Sequence, residues 1–306
     1  MAKQLVSVLT ATYNGAEFIA ETIESVLAQT HEELEHILVD DGSTDDTRAV
    51  LERYAAQHPE QVRVVEFDDR AGPTRRRNDA LDTARGEYLA WLDHDDLWAP
   101  EKTARQLDAL TAEPAAAVAY TQWEMFDHDS GDVFARSALR GGGDFLQRLF
   151  TEGCFLASST ALIRREAMAR RGLRFRDAHF SWGDDHYLWL ELALDWDAVL
   201  VDEVLVRLRR HRANESVRLA NENSYRWSIA LLDEFLAAHP EAGARVGTAR
   251  RRGIAFHRAL GAIYELQRGR RARAAVLALR AGVRDPAGAA RYVRRRAWSA
   301  LTRAAR

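Results

Sequence analysis

Four short runs in the first third of the chain are almost wholly apolar: LVSVLTAT (5–12), LEHILVDD (34–41), VRVVEFD (62–68) and EYLAWLD (87–93). Their apolarity is continuous rather than alternating, which suits strands buried on both faces of a parallel sheet covered by helices. Between the first two, Phe18, Ile19, Thr22, Ile23, Val26 and Leu27 recur at spacings of three and four, one face of an amphipathic helix. In the next linking segment Ser43 or Thr44 is the expected N-cap, and Asp45 and Asp46 place negative charge in the first turn, where the helix dipole favours it. This βαβα order predicts an open α/β sheet. After residue 115 the pattern loosens. AVAYTQWEMF reads as a strand, HDSGD as a turn, STALIRREAMARRG as a strand entering a helix, WGDDHYLWLEL as a helix start and DAVLVDEVLVRLRRH as a strand. From about residue 217 onward, segments rich in Ala, Leu and Arg read as helices. The expected organisation is an α/β domain over residues 1–216 followed by a basic helical region over 217–306.

Composition sharpens this picture in three places. With 47% hydrophobic and 29% charged residues over 306 positions, the chain is globular and large enough for a sizeable core. A single cysteine, Cys154, excludes an internal disulfide, a Cys-rich zinc site and a redox pair. No segment reaches the roughly 20 uninterrupted apolar residues needed to span a bilayer. MAKQLVSVLTATYNG carries no basic leader. The expectation is a cytoplasmic protein, peripheral on the inner face of the membrane if its basic end is a contact. The net charge of −3 conceals an asymmetry: residues 221–306 hold 18 Lys+Arg against 6 Asp+Glu, net +12, whereas residues 1–220 hold 25 against 40, net −15.

The chemistry gathers at the strand ends. In open α/β sheets ligands bind beyond the carboxyl ends of the strands, and here those ends read TATYNG, VDDGS and LDHDD. No GxGxxG follows the first strand and no GxxxxGK[ST] occurs, which argues against a dinucleotide site or a P-loop. Gly141, Gly142 and Gly143 lack either context and read as a loop. Asp93 and Asp95 frame His94, and Asp96 follows at once; adjacent hard carboxylates are what Mg²⁺ or Mn²⁺ prefers. The competing reading is an acidic turn capping a helix that begins near Pro100 and Glu101.

The order strand-ATYNG, strand-VDDGSTDDT, RRRN, RGEYLAWLDHDDLWAP, WGDDHYLWLEL and a later RRH resembles the family 2 inverting glycosyltransferases of the GT-A fold, over roughly residues 4–216. The resemblance implies a Rossmann-like, mixed but mainly parallel sheet flanked by helices. It also implies transfer of a sugar from a nucleotide diphosphate donor, a UDP- or dTDP-sugar, to an acceptor hydroxyl of a glycan or lipid-linked saccharide. Mn²⁺ or Mg²⁺ would assist, held by Asp95 with Asp93, and His211 is implied as a further metal or diphosphate contact. Donor contacts carried over are Ala11, Tyr13, Asp41, Arg77, Asp93 and His94, with Asp41 on the nucleobase and Tyr13 as an aromatic wall beside it. Arg77-Asn78 matches the family's usual Ala-Arg-Asn, but Arg76 stands where the alanine is expected.

Inversion needs a base that takes the proton of the incoming hydroxyl on the face opposite the leaving group. WGDDHYLW offers Asp185 and Asp184. On a helix Asp185 shares its face with Leu188, Trp189 and Leu192, whereas Asp184 aligns with Glu191 and Asp195. Asp185 is therefore expected to be the more desolvated, and the family position of the base agrees; some members place it one residue earlier. Trp182 and Trp189 are candidate sugar-stacking walls, with a core role favoured for Trp189, and Arg209 and Arg210 are weaker phosphate candidates. The tail RRRAWSALTRAAR could lie on an anionic membrane or form a packed basic domain or homodimer element. Nucleic-acid binding is not expected, because known modules and interleaved aromatics are missing. Two rivals remain: a sugar-nucleotide nucleotidyltransferase, which should carry a Gly-rich basic loop after the first strand, and a silent nucleotide-sugar binder, which should have lost its carboxylates.

Overall fold

The computed structural model describes residues 4–176, 183–212, 214 and 224–282. The chain divides into two compact units: one formed by residues 1–142, 156–177 and 191–212, the other by 143–155, 178–190 and 213–306. The passage from the first into the second falls at the glycine triplet, where Gly142 and Gly143 have φ of 77° and 79°.

In the first unit the apolar runs become β1 (Val6–Thr12), β2 (Leu34–Asp41), β3 (Val62–Phe67) and β4 (Tyr88–Trp91), paired parallel in the order β3-β2-β1-β4. Every residue of β2 is buried, as its continuous apolarity requires of a strand covered on both faces. Three helices link them: α1 (Ile19–Leu27), α2 (Thr47–Gln57) and α3 (Pro73–Thr83). Ile19, Thr22, Ile23 and Val26 form the buried stripe of α1. Ile19 and Ile23 pack with Leu38, Leu51, Tyr54 and Val62 in one layer of the core.

The sheet continues through β8 (Ala161–Arg164), antiparallel to β4, then β6 (Ala116–Asp127), β9 (Asp197–Arg210) and the two-residue β5 (Leu97–Trp98). β6 and β9 run parallel, β5 is antiparallel to β9, and β7 (Val133–Arg136) hangs on the far part of β6. The sheet is thus mixed but mainly parallel where the polar strand ends gather, as the sequence predicts. α4 (Lys102–Ala112) covers it, and α6 (Arg165–Arg171) follows β8 and stops at Gly172 in the left-handed conformation.

Two capping expectations are corrected. α2 begins at Thr47 behind Asp46, whose side chain makes no cap; Asp45 Oδ1 accepts from Thr47 N–H (3.0 Å), while Ser43 and Thr44 are drawn away to Asn14: Asn14 N–H donates to Ser43 Oγ (2.9 Å) and Thr44 N–H to Asn14 Oδ1 (2.8 Å). Nor do Asp93–Asp96 cap the helix after them, since β5 intervenes and α4 starts behind Glu101.

The second unit is helical. It contains α5 (Phe145–Glu152), capped by Asp144 through Gln147 N–H, and the start of α7 (Asp184–Leu192). α8 (Ser224–Ala238), α9 (Ala242–Val246), α10 (Ala249–Gln267) and α11 (Arg271–Gly282) complete it. α10 passes so close to α5 that a Cβ on Gly253 would lie 2.0 Å from the Phe150 carbonyl oxygen; only glycine permits that approach. Among the described residues no helix is long and apolar enough to cross a membrane.

Candidate active site

The ends of β1, β2 and β4 and the far end of β9 bring the sequence-predicted polar residues of the first unit together. At the centre, His211 Nε2 lies 2.9 Å from Asp95 Oδ2, with both side chains largely buried. The His211 ring rests on Phe18 at 4.2 Å between centroids. Burial works to raise the Asp95 pKa, but the hydrogen bond to His211 and the charges of His94 and His211 outweigh it and hold the carboxyl below its ordinary range. Asp95 is therefore ready to act as an anionic ligand.

The neighbouring carboxylates have different surroundings. Asp93 is half exposed and pairs with Arg77, whose guanidinium nitrogen lies 3.0 Å from Oδ1. Asp96 is buried: its Oδ2 accepts from Ser159 Oγ (2.6 Å) and its Oδ1 from Arg209 N–H (3.1 Å). Burial first, then the charges of Asp95 and Asp93, push the Asp96 pKa well up. Ser159 Oγ in turn accepts from Asp93 N–H (3.2 Å), and Thr22 Oγ1 donates towards the carbonyls of His94 (2.9 Å) and Asp96 (3.0 Å). Arg209 completes the frame: its Nε donates to the Asp95 carbonyl (2.9 Å) and it pairs with Glu21 (2.7 Å). The DHDD turn is held by Thr22 of α1, Arg209 of β9 and Ser159 in the turn before β8, and the Asp95 side chain faces His211.

The residues that could hold a divalent cation are Asp95 and His211, with Asp93 beside them. Among the described residues no group of three His, Cys, Asp or Glu is placed to hold a metal. An ion there would have few protein ligands, which fits Mg²⁺ or Mn²⁺ completed by water and substrate phosphate rather than a closed four-ligand zinc site.

On the β1 and β2 side, Gly15 is a close-approach position: an added Cβ would meet Thr12 Oγ1 at 2.5 Å and His94 Cδ2 at 2.8 Å. Thr12 Oγ1 is itself buried without a hydrogen-bond partner. Ala11 lies half-buried near the end of β1, and Tyr13 carries the Arg70 guanidinium over its ring at 4.0 Å. Asp41 is buried and engaged by its own chain: Oδ1 accepts from Ala71 N–H (2.7 Å) and Arg76 Nε (2.8 Å), and Oδ2 accepts from Gly72 N–H (2.9 Å). Arg76 is buried too, paired also with Asp69 and Asp79 and lying 3.6 Å over the Phe67 ring. The arginine that departs from the family pattern is thus a structural partner of Asp41, and of the three arginines only Arg77 reaches the DHDD turn.

Asp184 and Asp185 stand at the N-terminus of α7 in the second unit. Both are half-buried; Asp184 Oδ1 accepts from Asp185 N–H (2.9 Å) and Asp185 Oδ1 from His186 N–H (2.7 Å). Leu188, Trp189 and Leu192, on the Asp185 face, are buried, and Trp189 is a core residue. Trp182 lies outside the described residues, as do Trp298, Leu301 and the rest of the arginine-rich tail from residue 283. Sequence reading missed Ser159, Thr22 and the bracing role of Arg209, because their contacts join positions 61 or more residues apart.

The sequence profile of glycosyl transferase family 2 matches residues 7–172, more than half of the chain. TuaG of Bacillus subtilis (strain 168), a glycosyltransferase named for teichuronic acid biosynthesis, is 40% identical over 127 residues, 42% of this chain and 50% of that protein. The chain thus spans half the length of that relative. The Escherichia coli UDP-Glc:alpha-D-GlcNAc-diphosphoundecaprenol beta-1,3-glucosyltransferase WfaP is 29% identical over 189 residues, 62% of this chain and 70% of that one. Among solved structures, the mannosyltransferase PcManGT from Pyrobaculum calidifontis with GDP-Man and Mn²⁺ aligns with a TM-score of 0.60 at 22% identity, covering 98% of this chain and 84% of its own. S. aureus TarS with UDP-GlcNAc aligns at 0.58 and 17% identity, covering 92% of each chain. At these identities the structural likeness shows the fold, which is GT-A.

Proposed function

Because the chain belongs to glycosyl transferase family 2, we propose that it transfers a sugar, with inversion, from a nucleotide diphosphate donor to a hydroxyl of a glycan or lipid-linked saccharide. The observation that carries this reading is the Asp95–His211 pair, 2.9 Å apart at the carboxyl edge of the sheet. Asp95 and His211 would hold the divalent cation, which when bound supplies Lewis acidity to the departing diphosphate. Arg77, fixed against Asp93, adds positive charge beside the same turn. Asp185 is the base that takes the acceptor proton, with Asp184 as its rival.

Hydrogen-bond counting at Asp41 supports a uracil or thymine donor. A carboxylate offers about four acceptor positions. Three are taken by Ala71 N–H, Gly72 N–H and Arg76 Nε, which leaves one on Oδ2. Uracil and thymine present one ring N–H, whereas guanine presents a ring N–H and an amino group side by side and needs two acceptors. The test is calorimetric titration of UDP, dTDP and GDP with and without Mn²⁺. UDP or dTDP should bind more tightly than GDP, and Mn²⁺ should strengthen binding in the parent but not in Asp95→Asn. Equal metal dependence in the two proteins would defeat the metal assignment, and a preference for GDP would defeat the reading of Asp41.

A further inference from the structure

The described part of the second unit ends in a helix, α11, with an apolar outer face. In α11, Ala274, Leu277 and Ala281 are buried, and Leu277 packs with Ala262 of α10 and with Ile229. The opposite side carries Ala272, Ala275, Val276 and Leu279, which recur at spacings of three and four and are all exposed. Leu279 is 70% exposed, Val276 48%, and Leu266 at the end of α10 58%. These are three of the six large apolar side chains found exposed among the described residues, gathered within 14 positions.

The exposed charges along this stripe are arginines, and the neighbouring Glu265 is buried and paired with Arg270 at 3.7 Å. Residues 266–280 hold five arginines, Arg268, Arg270, Arg271, Arg273 and Arg280, and no Asp or Glu. At 100° per residue Arg273 and Arg280 border the stripe on one side and Arg271 on the other. A helix with one buried face, an opposite apolar face and cations along both borders matches an interfacial element, whose apolar side chains enter the acyl boundary while arginines reach the headgroups. A two-fold pairing of copies through this face would set the arginines of one against those of the other, which like-charge repulsion opposes.

We infer that the outer face of α11, with Leu266, docks on an anionic lipid bilayer surface. This goes beyond the transfer reaction and does not depend on it. An enzyme so docked would meet acceptors carried at a membrane surface by diffusion in two dimensions.

The test uses the full chain in co-sedimentation with phosphatidylglycerol-containing and with pure phosphatidylcholine vesicles, alongside light scattering without lipid. The parent should bind the anionic vesicles and lose binding as salt rises, since screening shortens to about 8 Å at physiological ionic strength. Val276→Glu with Leu279→Glu should lower binding by about tenfold or more. Arg271→Gln, Arg273→Gln and Arg280→Gln should each lower it about fivefold, and because these positions are exposed the fold should be kept, as circular dichroism will report. Undiminished binding by the Glu variant would overturn the inference by placing the contact elsewhere in the chain. Absence of parental binding to either vesicle, or a change of solution mass in the Glu variant that marks the face as a pairing surface, would overturn it as well.

Discussion

Three aspartates within four positions play three parts because their surroundings differ. Asp95 is held ionised against His211, Asp93 is half exposed and tied to Arg77, and Asp96 is a buried brace between Ser159 and Arg209. A raised pKa means that the folded protein holds the Asp96 proton more tightly than the unfolded chain does. The sign is that stability is greatest below the unfolded pKa and is lost as pH rises through the folded one. Asp96→Asn keeps a group able to serve both partners and should remove this pH dependence while staying within about 1 kcal/mol of the parent near neutrality. Asp96→Ala leaves Ser159 Oγ and Arg209 N–H short of a partner and should cost about 2–4 kcal/mol in urea unfolding, at about 1–3 kcal/mol per unsatisfied group. The acidic cluster was legible in LDHDD, and its affinity for a cation is the expectation that the Asp95→Asn titration tests. That its last member is structural was not, because only the folded chain brings Ser159 and Arg209 to it.

Among helices and strands, legibility followed local periodicity. β1 to β4 and the buried stripe of α1 could be read from the sequence because buried parallel strands and amphipathic helices write their burial in adjacent residues. β5 has only two residues and β7 only four, mostly exposed, so neither leaves a periodic trace. The displaced α2 cap has the same origin: Asn14, in the positive-φ region at 49°, claims Ser43 and Thr44 from 29 and 30 positions away. In the β1–α1 turn a methyl group added at position 15 would meet the side chains of Thr12 and His94, so that one of them must move. Gly15→Ala should therefore shift His94 and weaken Mn²⁺-dependent UDP binding more than it lowers the melting temperature, and calorimetry beside a thermal scan reads both. In α7 the residues from His186 to Leu190 are all buried and Asp184 and Asp185 are both half-buried, so the ranking of the two aspartates rests on the sequence expectation. Asp185→Asn should reduce the transfer rate by about 10²–10⁴-fold with little change in UDP affinity, and Asp184→Asn should do less; the reverse order in a steady-state assay would move the base one residue earlier.

Across the molecule, the charge asymmetry seen in the sequence has a structural counterpart in the arginines of α10 and α11, but the histidines show how much composition conceals. Ten histidines are spread through the chain without pattern. His36 in the first unit is buried and its pKa falls to about 3 through loss of water. In the second unit burial lowers His186 to about 4 and, with a smaller contribution from the charge of His186, lowers His257 to about 3. His186 retains one contact, to the Leu149 carbonyl (3.2 Å), whereas neither ring nitrogen of His257 has a hydrogen-bond partner among the described residues. Each of these groups is depressed in the folded state, so the unfolded chain binds the extra protons. Their stabilisation is fully present above the unfolded value of 6.5 and is lost as pH falls from there towards 4 and then 3. The expected slope is about 1.4 kcal/mol per pH unit for each histidine. Urea unfolding at pH 8, 6 and 5 should show this loss beginning just below pH 6.5, earlier than carboxylate protonation can explain. His257→Leu removes one proton from the balance and, since the imidazole makes no hydrogen bond there, should leave stability at pH 8 little changed while making the slope shallower by one group's share. An unchanged slope in His257→Leu would show that the acid sensitivity of the second unit does not originate in this buried pair.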